Sequence, residues 1–584
     1  MTSLMAKIQL KLMFWRQNKM NDLVMEIKNQ IMTAVKASVD TICADLEDAQ
    51  KEAVKAVEIE IEVPKEKDHG DFSVNTAMKL TKILRKNPRE TAQSIVESMV
   101  FENTYIERAE IAGPGFINFY LKSNWLFDGL KLALDMGANY GKTNVGNGKK
   151  VMVEFVSANP TGPMHMGNAR GGALGDGLAS VLEWAGYDVT REFYINDAGA
   201  QIEKFGKSLE ARYIQLIKGE DAIEFPEDGY QGNDIKVHAA NYFEEYGDKL
   251  IDTDSETRRK ALVDYALPIN IENLKKDLAQ YRINYDIWFP ESTIHANGEV
   301  AETINLLKEA GLTYEKDGAV WIKTTEFGDE KDEVLIRANG IPTYFAVDIA
   351  YHRNKFLMRG FDKVINIWGA DHHGHVARMK GAMQALGINP DKLEIIIMQL
   401  VRLMKNGDVA RMSKRTGEMI TLSDLIDEIG VDAARFFFNL RQAGSHLEFD
   451  MDLAVAQNSD NPVFYVQYAH ARIASILRSL AAENITPSND ANLSLLTEKE
   501  ETELITKIVS LPQEIAMCAN SMEPSKLTRY TLDLAALFHS FYNSCRVKCE
   551  DEKLMQARLI LIYVTKQVIE NVLSILKIDA PDEM

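Results

Sequence analysis

The sequence predicts an α/β fold, in which a doubly wound, Rossmann-like parallel sheet lies between an N-terminal α+β domain and a C-terminal all-α domain. VMVEFV, from Val151, is a short apolar run typical of a buried parallel strand. A Pro/Gly-rich loop and a one-sided helix follow it, and DVTREFYI, from Asp188, completes a βαβ unit. Beyond about residue 430 the apolar pattern is helical to the end.

A chain of 584 residues is long enough for several domains. The residues 1–19 are basic, and Met20 opens a second plausible start, so we expect a start-site extension there and keep a transit segment as the alternative. The further divisions that we expect are an N-terminal α+β domain at 20–125, a linker at 126–149, the domain of the parallel sheet at 150–429 with a helical insertion at about 205–297, and a helical domain at 430–584.

Local patterns predict the elements of these domains. Apolar residues four apart, from Ile27 to Val39, lie on one helical face. EIEIEVP alternates as a strand does, Thr76 to Leu84 is helical again, and INFYL follows as a strand. ANYGKTNVGNGKK is rich in Gly, Asn and Lys, as linkers are. AVWIK, EVLIR, KVINIWG and LEIIIMQLV are further strands of the central region.

Composition excludes several classes of protein. No apolar run approaches the roughly 20 residues that a membrane span needs, so we expect a soluble protein. The four cysteines are Cys43, Cys518, Cys545 and Cys549, too dispersed for a structural zinc site, so we expect reduced thiols, a cytoplasmic location and no structural metal. The net charge of −20 neither indicates nor excludes a nucleic-acid partner, because local basic strips can still hold RNA.

PMHMGNARGG, at the strand-to-helix turn, predicts a phosphate site. Gly167 allows the backbone to approach a phosphate, and the following helix N-terminus favours negative charge. His165 and Asn168 are the candidate donors. Taken alone, the motif is more typical of a tight turn with a satisfied histidine than of a phosphate site.

A second motif, VARMSKRTGEMITL, lies about 250 residues later. Met412, Ser413 and Lys414 suit a cationic loop in which a lysine follows the charge that develops on a pyrophosphate. A basic cluster alone is usually a solvated face. The pairing of the two motifs across the predicted sheet is much more informative than either one.

The two motifs resemble the His-x-Gly-His and Lys-Met-Ser-Lys signatures of class I aminoacyl-tRNA synthetases. VEFVSANPTGPMHMGNARGG, PTYFAVDIAYH, VDAARFFF and GDFSVNTAMKL are similar to the arginyl-tRNA synthetase family, from about Met20 to Met584. Two positions depart from the signatures: Asn168 replaces the second histidine and Arg411 the first lysine. Asparagine still donates a hydrogen bond and arginine keeps the charge, so we expect activity.

The resemblance implies ATP-dependent attachment of L-arginine to tRNA-Arg. The arginine carboxylate attacks the α-phosphate of ATP in line, and the terminal ribose of the tRNA then attacks the arginyl adenylate. The protein supplies positions and charge and no nucleophile, with Mg²⁺ entering with ATP. His165, Asn168 and Lys414 are the expected catalytic residues, with Gly167, Met412 and Ser413 in the ATP site. In this family activation generally requires bound tRNA.

Recognition of arginine needs carboxylates, because a guanidinium offers five donors in a fixed geometry. Tyr344 and Asp348 are four residues apart and share a helical face. By the resemblance, Glu154 and Asp348 hold the arginine side chain, Tyr344 packs on it, and Ser157 and Asn159 hold its amine. For Glu154 the alternative is a solvent-facing acid; an unpaired buried acid would be costly, which favours a cationic ligand as its partner.

WGADHHGHV follows another strand, where doubly wound sheets bind ligands. A metal site is one interpretation, but by resemblance Asp371 and His372 belong to the ATP site. In the helical domain Tyr465, Tyr468 and Arg472 could stack anticodon bases, although an aromatic stripe is usually core. By resemblance, the N-terminal domain, with Asn75, touches the tRNA elbow.

Two alternatives remain at this point. One is a class I synthetase for another amino acid, such as cysteine, although such an enzyme needs a zinc-binding thiol and no cysteine lies between Cys43 and Cys518. The other is a degenerate paralogue that binds RNA without catalysis. From the resemblance we also expect a monomer.

Overall fold

The structure is a computed structural model that describes residues 23–64, 66–410 and 420–584. The residues 1–19, and Arg411, Met412, Ser413 and Lys414 of the second motif, lie outside the described residues. Among the described residues no helix combines the length and the apolar character that crossing a membrane requires.

The N-terminal domain is a four-stranded antiparallel sheet packed against helices. Its helices are α1 (Leu23–Ile42), α2 (Asp48–Lys55), α3 (Thr76–Leu84) and α4 (Pro88–Glu97). Its strands are β1 (Ile61–Glu62), β2 (Phe72–Val74), β3 (Ile106–Ala112) and β4 (Phe116–Leu121), in the order β1-β2-β4-β3. The apolar stripe of α1 is fully buried, as its spacing predicts.

The residues 126–149, which we expected to form a linker, begin inside helix α5 (Asn124–Met136). Trp125 and Leu130 of α5 are buried, and a Cβ on Gly129 would lie 2.6 Å from a methyl group of Val509 in the C-terminal region. Further along, the Tyr140 hydroxyl donates to the carbonyl of Ile508 at 3.2 Å. The segment therefore fastens the N-terminal domain onto the helical domain.

The central domain contains eight strands in two sheets. They are β5 (Lys150–Glu154), β6 (Asp188–Ile195), β7 (Ile287–Pro290), β8 (Thr313–Lys316), β9 (Ala319–Ile322), β10 (Glu333–Ile336), β11 (Lys363–Gly369) and β12 (Leu393–Met398). Its helices are α6 (Gly167–Trp184), α7 (Ala200–Lys218), α8 (Asn233–Tyr246), α9 (Ser255–Gln280), α10 (Glu291–Ala296), α11 (Glu299–Glu309), α12 (Tyr344–Arg353) and α13 (His375–Ala385).

The main sheet is parallel throughout, in the order β12-β11-β5-β6-β7. The direction of winding reverses between β5 and β11, so the carboxyl ends of these two strands flank the crevice in which doubly wound sheets bind ligands. Helix α6 covers one face of the sheet closely: a Cβ on Gly175 would lie 2.2 Å from the Phe155 ring. Helix α12 covers the other face, and the fold class is as the sequence predicts.

One expectation about the central domain was wrong, and two of the predicted strands lie in a second sheet. The helical insertion is shorter than 205–297, because β7 within that range is a parallel strand of the main sheet. AVWIK and EVLIR do not join the main sheet but form an antiparallel sheet with β8, in the order β10-β9-β8. Helices α7, α8 and α9 form the insertion, with a small apolar core of their own.

The C-terminal region is helical except for a short sheet. Its strands are β13 (Val401–Lys405), β14 (Asp408–Val409) and β15 (Leu447–Asp450). Its helices are α14 (Leu422–Ile429), α15 (Val431–Phe438), α16 (Met451–Val455), α17 (Pro462–Ala482), α18 (Lys499–Val509), α19 (Leu511–Ser521), α20 (Ser525–Ser544) and α21 (Glu552–Ile575). The expectation of an all-helical segment from 430 missed β15, which pairs in parallel with β13.

Candidate active site

The chain turns sharply after β5 in an unfavourable backbone conformation. Val156 has φ of 70° and Ser157 φ of 40°, which is rare for non-glycine residues and especially so for a β-branched one. Such strain persists only where the surrounding structure enforces it. The Ser157 hydroxyl donates to Glu154 at 3.0 Å and accepts the N–H of Tyr194 at 3.2 Å. The turn therefore fixes Ser157 between two strands of the sheet.

Three carboxyl groups surround one end of the crevice, and we call Glu154, Glu291 and Asp348 the acidic pocket. Glu154 ends β5, Glu291 opens α10 directly after β7, and Asp348 lies on α12. Burial, followed by the charges of Glu154 and Glu291, raises the pKa of Asp348 to about 7. Burial also raises the pKa of Glu291. A cationic ligand would relieve the repulsion between these neighbouring carboxylates.

Two tyrosines line the acidic pocket. The Tyr194 hydroxyl is buried, has no hydrogen bond of good geometry to a described residue, and has its pKa raised by burial and by the charges of Glu291 and Asp348. Tyr344 lies one helical turn before Asp348 and is half exposed. Its hydroxyl accepts the N–H of Ala200 at 3.1 Å, so the first turn of α7 holds the ring at the edge of the pocket.

The expectation that a ligand supplies the cation for Glu154 was wrong, because this acid already pairs with a residue of the protein. The ammonium of Lys355, which is fully buried, donates to the Glu154 carboxylate. Lys355 belongs to a π-helical turn, Asn354–Met358, that continues α12. A buried acid does need a cation, but the fold supplies that cation from a segment 200 residues away in sequence.

A separate cleft of about 730 Å³ is lined by the residues that follow the strained turn in the chain. It brings together Asn159, His165 and Asn168, all predicted as site residues, with Thr421 from the end of the second motif. Tyr230 and Asp234 of the insertion close its outer wall. His165 is exposed, and Asn168 lies in the first turn of α6, where the helix end favours an anion. The cleft can therefore receive phosphates.

The described ends of the second motif lie against the first one. His165 forms an isolated antiparallel bridge with Thr421, and the N–H of Met166 donates to the carbonyl of Ile420 at 3.1 Å. Thr421 is also the N-cap of α14, where it forms a reciprocal capping box with Asp424. The chain thus returns from the second motif directly onto the turn that carries His165.

Asp371 and His372 follow β11 in an exposed turn at the switch point of the sheet. The His372 ring lies 3.5 Å from the Asp371 carboxylate and 5.9 Å from the Trp368 ring, centroid to centroid. Within 23–64, 66–410 and 420–584, no group of three or more His, Cys, Asp or Glu side chains is arranged to hold a metal ion.

The residues predicted to contact tRNA lie in two domains. Phe464, Tyr465, Tyr468 and His539 line an aromatic cavity of about 370 Å³ between α17 and α20. Tyr468 is 42% exposed there, so it is not a core residue. Arg472 donates to the Tyr542 hydroxyl at 2.7 Å, outside the cavity lining. In the N-terminal domain the Asn75 amide donates to Glu60 at 3.4 Å.

One residue of the acidic pocket, Glu291, and the cation that pairs with another, Lys355, were missed from the sequence. Glu291 was assigned to the insertion, because the strand before it was not recognised. Lys355 is 11 residues after Tyr344 and 7 after Asp348. This spacing continues a single helical stripe, so it could have indicated that Lys355 points toward the same site.

A doubly wound sheet with a phosphate cleft at its switch point, joined to a helical C-terminal domain, defines a class I aminoacyl-tRNA synthetase. The family model for the catalytic domain of class I (R) tRNA synthetases matches residues 130–455. The models for the arginyl-tRNA synthetase N-terminal domain and the DALR anticodon-binding domain match residues 25–121 and 466–584. The chain belongs to the arginyl-tRNA synthetase family.

Relatives of known name support this assignment along nearly the whole chain. An arginine–tRNA ligase of Ruminiclostridium cellulolyticum is 59% identical over 97% of this chain and 100% of its own length. One from Caldanaerobacter subterraneus is 56% identical over 96% and 100%. The structure of the Thermus thermophilus arginyl-tRNA synthetase has the same fold, with a TM-score of 0.71 at 22% identity over 92% of this chain and 99% of that one. The alternative of a cysteine enzyme is therefore wrong.

Proposed function

We propose that this protein attaches L-arginine to tRNA-Arg at the expense of ATP, through an arginyl adenylate. The observation that carries this proposal is the acidic pocket beside the phosphate cleft at the switch point of the sheet. The three carboxyl groups suit a guanidinium and the cleft suits a triphosphate. The strained turn after β5 connects Glu154 to Ala158 and Asn159 of the cleft lining, so a bound arginine carboxylate would face the α-phosphate of a bound ATP.

In the acidic pocket, Asp348 and Glu291 would accept the guanidinium hydrogen bonds, and the Tyr344 ring would pack on the side chain. Ser157 and Asn159 would hold the amino end of arginine. Glu154 would act through Ser157, because its carboxylate already accepts from Ser157 and from Lys355. A carboxylate receives a planar guanidinium through two parallel, charge-assisted hydrogen bonds, whereas a lysine ammonium lacks the planar fork and the citrulline side chain lacks the charge.

In the phosphate cleft, His165, Asn168 and the start of α6 at Gly167 would stabilise charge on the phosphates as the in-line attack proceeds. Lys414, with Met412 and Ser413, would reach the same phosphates, since the chain returns to Met166 six residues after Lys414. Asp371 and His372 would hold the ATP ribose. Mg²⁺ would enter with the phosphates, whose oxygens are the ligands that it prefers. Catalysis is thus positioning plus charge stabilisation.

ATP–pyrophosphate exchange with each amino acid, with and without tRNA, tests this function. We expect exchange with arginine alone, and only when tRNA is present. Exchange with another amino acid would refute the specificity, and RNA binding without any exchange would identify a non-catalytic paralogue. We also propose a monomer that works in the cytoplasm, as the family resemblance implies; sedimentation equilibrium at micromolar concentration tests the first part.

A further inference from the structure

Two buried glutamates lie side by side on the sheet face beneath α12. Glu154 of β5 and Glu192 of β6 are register partners in the parallel ladder, so their side chains point the same way. Each is matched by a cation from the chain just beyond α12: Lys355 pairs with Glu154, and Arg359 pairs with Glu192. Lys355 and Arg359 are four residues apart in the chain, and the acids that they pair with lie on neighbouring strands.

The Lys355 ammonium is fully buried, and side chains around it satisfy its charge. It donates to the Glu154 carboxylate and, at 3.3 Å, to the Asn366 side-chain oxygen, and it lies 4.1 Å from the centroid of the Tyr351 ring. Two hydrogen bonds and a cation–π contact satisfy the desolvated charge. The π-helical turn that carries Lys355 is a rare conformation that recurs at functional sites.

A directed chain of hydrogen bonds runs from Lys355 to the backbone of Asp348. The Asn366 oxygen accepts from Lys355, so its amide donates to His352 Nε2 at 2.7 Å. His352 Nδ1 lies 2.7 Å from the carbonyl of Asp348, which can only accept, so Nδ1 carries the proton. Burial holds the pKa of His352 well below its usual range, which keeps the ring neutral and the chain of donors in one direction.

We propose that Lys355 is a positioning residue of the acidic pocket: by occupying Glu154 and fixing the Asn366–His352 chain, it leaves Asp348 and Glu291 to receive the substrate guanidinium. The inference rests on the proposed function. Without Lys355, the buried Glu154 carboxylate would lose its cation and compete with Asp348 and Glu291 for the single positive charge of the substrate. With it, two carboxylates face a substrate cation, which is the number that a guanidinium can engage.

Lys355 also has an electrostatic effect on the group that binds substrate. The groups that act on Asp348 are Glu154 from β5, Glu291 from α10 and Lys355 from the π-helical turn. Tyr194 and His352 face it as neutral groups. Glu154 and Glu291 raise the pKa of Asp348, whereas Lys355 lowers it. Removal of Lys355 therefore drives Asp348 toward its protonated form at neutral pH, where it cannot pair with a guanidinium.

The test is the pH dependence of kcat/KM for arginine in tRNA-dependent pyrophosphate exchange, from pH 6 to 9. The acid limb of this profile reports the ionisation of the free enzyme. For Lys355→Met we expect the limb to move to higher pH, by up to about one unit, because Lys355 is the cation that lowers the pKa of Asp348. At pH 7 a shift of one unit from a pKa of about 7 should raise the arginine KM about fivefold, with the ATP KM within about twofold.

Arg359→Met is the matched control, because it removes the neighbouring buried ion pair on the same sheet face. Neither Arg359 nor Glu192 is among the groups that shift the pKa of Asp348. Arg359→Met should lower the thermal midpoint of unfolding, as Lys355→Met does, yet leave the acid limb of the pH profile in place. Equal movement of the limb in both variants, or none in Lys355→Met, would overturn the inference and reduce Lys355 to a structural role.

The double variant Glu154→Gln/Lys355→Met serves if the single variant does not fold, because it leaves no buried charge unpaired. Glu154 acts on Asp348 more strongly than Lys355 does, so this variant should move the acid limb down, opposite to the single one. Movement upward, or none, would contradict the inference. If the wild-type protein shows no arginine-dependent exchange, the proposed function fails; if it does and only these shifts are missing, the inference alone fails.

Discussion

The N–H of Met166 donates to the carbonyl of Ile420 at 3.1 Å, and this hydrogen bond holds the end of the second motif against the turn that carries His165. The antiparallel bridge between His165 and Thr421 joins the same two segments, and both residues line the phosphate cleft. Lys414 lies only six residues upstream of Ile420. An extended chain of six residues spans roughly 20 Å at most, so Lys414 is close enough along the chain to act in the cleft.

We therefore expect Lys414→Ala to reduce kcat for pyrophosphate exchange by about 10²–10³-fold, the usual effect of losing one donor to a developing anion. The arginine KM should change by less than about threefold, because the acidic pocket is untouched. Lys414→Arg keeps the charge and serves as the control. A kcat within threefold of wild type in Lys414→Ala would show that another cation performs this role.

Asn168 stands where the family signature has histidine, and its position in the first turn of α6 makes it a donor to the same phosphates. Asn168→Ala should raise the activation free energy by about 2–3 kcal/mol and so lower kcat. Asn168→His should retain most of the activity, since both side chains can donate. Steady-state exchange kinetics with varied ATP measures the effect. Activity in the alanine variant equal to that of the histidine variant would contradict a donor role.

The raised pKa of Asp348 predicts a pH-dependent affinity for arginine. With a pKa of about 7, the carboxyl group is largely neutral at pH 6 and ionised at pH 8, so kcat/KM for arginine should rise across this range. Asp348→Asn should abolish the rise and lower kcat/KM by at least about a hundredfold. The kcat/KM for ATP, measured at saturating arginine, is the internal control and should lack this limb.

The same ionisation has a consequence for stability. The folded pKa of Asp348 lies above its unfolded value, so its contribution to stability is fully present below about pH 4 and is lost as pH rises through about 7. Arginine, which pairs with the ionised form, should therefore raise the thermal midpoint more at pH 8 than at pH 6. An equal rise at both pH values would show that Asp348 does not titrate on binding.

The local half of the site could be predicted from the sequence, whereas the long-range half could not. Tyr344 and Asp348 were placed together because four residues make one helical turn. His165 and Asn168 were found because a glycine-bearing turn after an apolar run is a local pattern. The β5–α6–β6 unit is visible for the same reason: its apolar periodicity changes within 40 residues.

The place of Glu291 depends on strand order, and the pairing of Lys355 with Glu154 depends on how α12 packs on the sheet; no local pattern contains either. Glu291 enters the site because β7 pairs with β6 across an insertion of about 90 residues, and the polar helices before it concealed the strand. Lys355 reaches Glu154 only because α12 lies across β5 and β11. The burial of Glu154 was inferred correctly, but its partner was a matter of tertiary packing.

Arg435 joins the helical domain to the central domain and is fully buried. It pairs with Asp176 of α6 and donates to the carbonyls of Leu576 and Tyr281 at 2.7 and 2.9 Å. Arg435→Met should cost about 3–5 kcal/mol of unfolding free energy in urea, because Asp176 and two carbonyls lose a buried partner. Arg282→Met, at a neighbouring but partly exposed network, should cost about 1 kcal/mol or less. Similar losses in the two variants would contradict this.

The aromatic cavity of the helical domain predicts a stacking contact with an unpaired tRNA base. Tyr468 is exposed there, and its ring stacks on Phe464 and His539 at centroid distances of 6.2 and 6.1 Å. Tyr468→Ala should weaken tRNA binding by about 1–3 kcal/mol, the usual contribution of one stacked base. The KM for tRNA should rise accordingly, while kcat at saturating tRNA and the KM for arginine stay near wild type. Tyr563, equally exposed on α21, gives the control variant Tyr563→Ala, and equal tRNA KM values for the two would place the anticodon contact elsewhere.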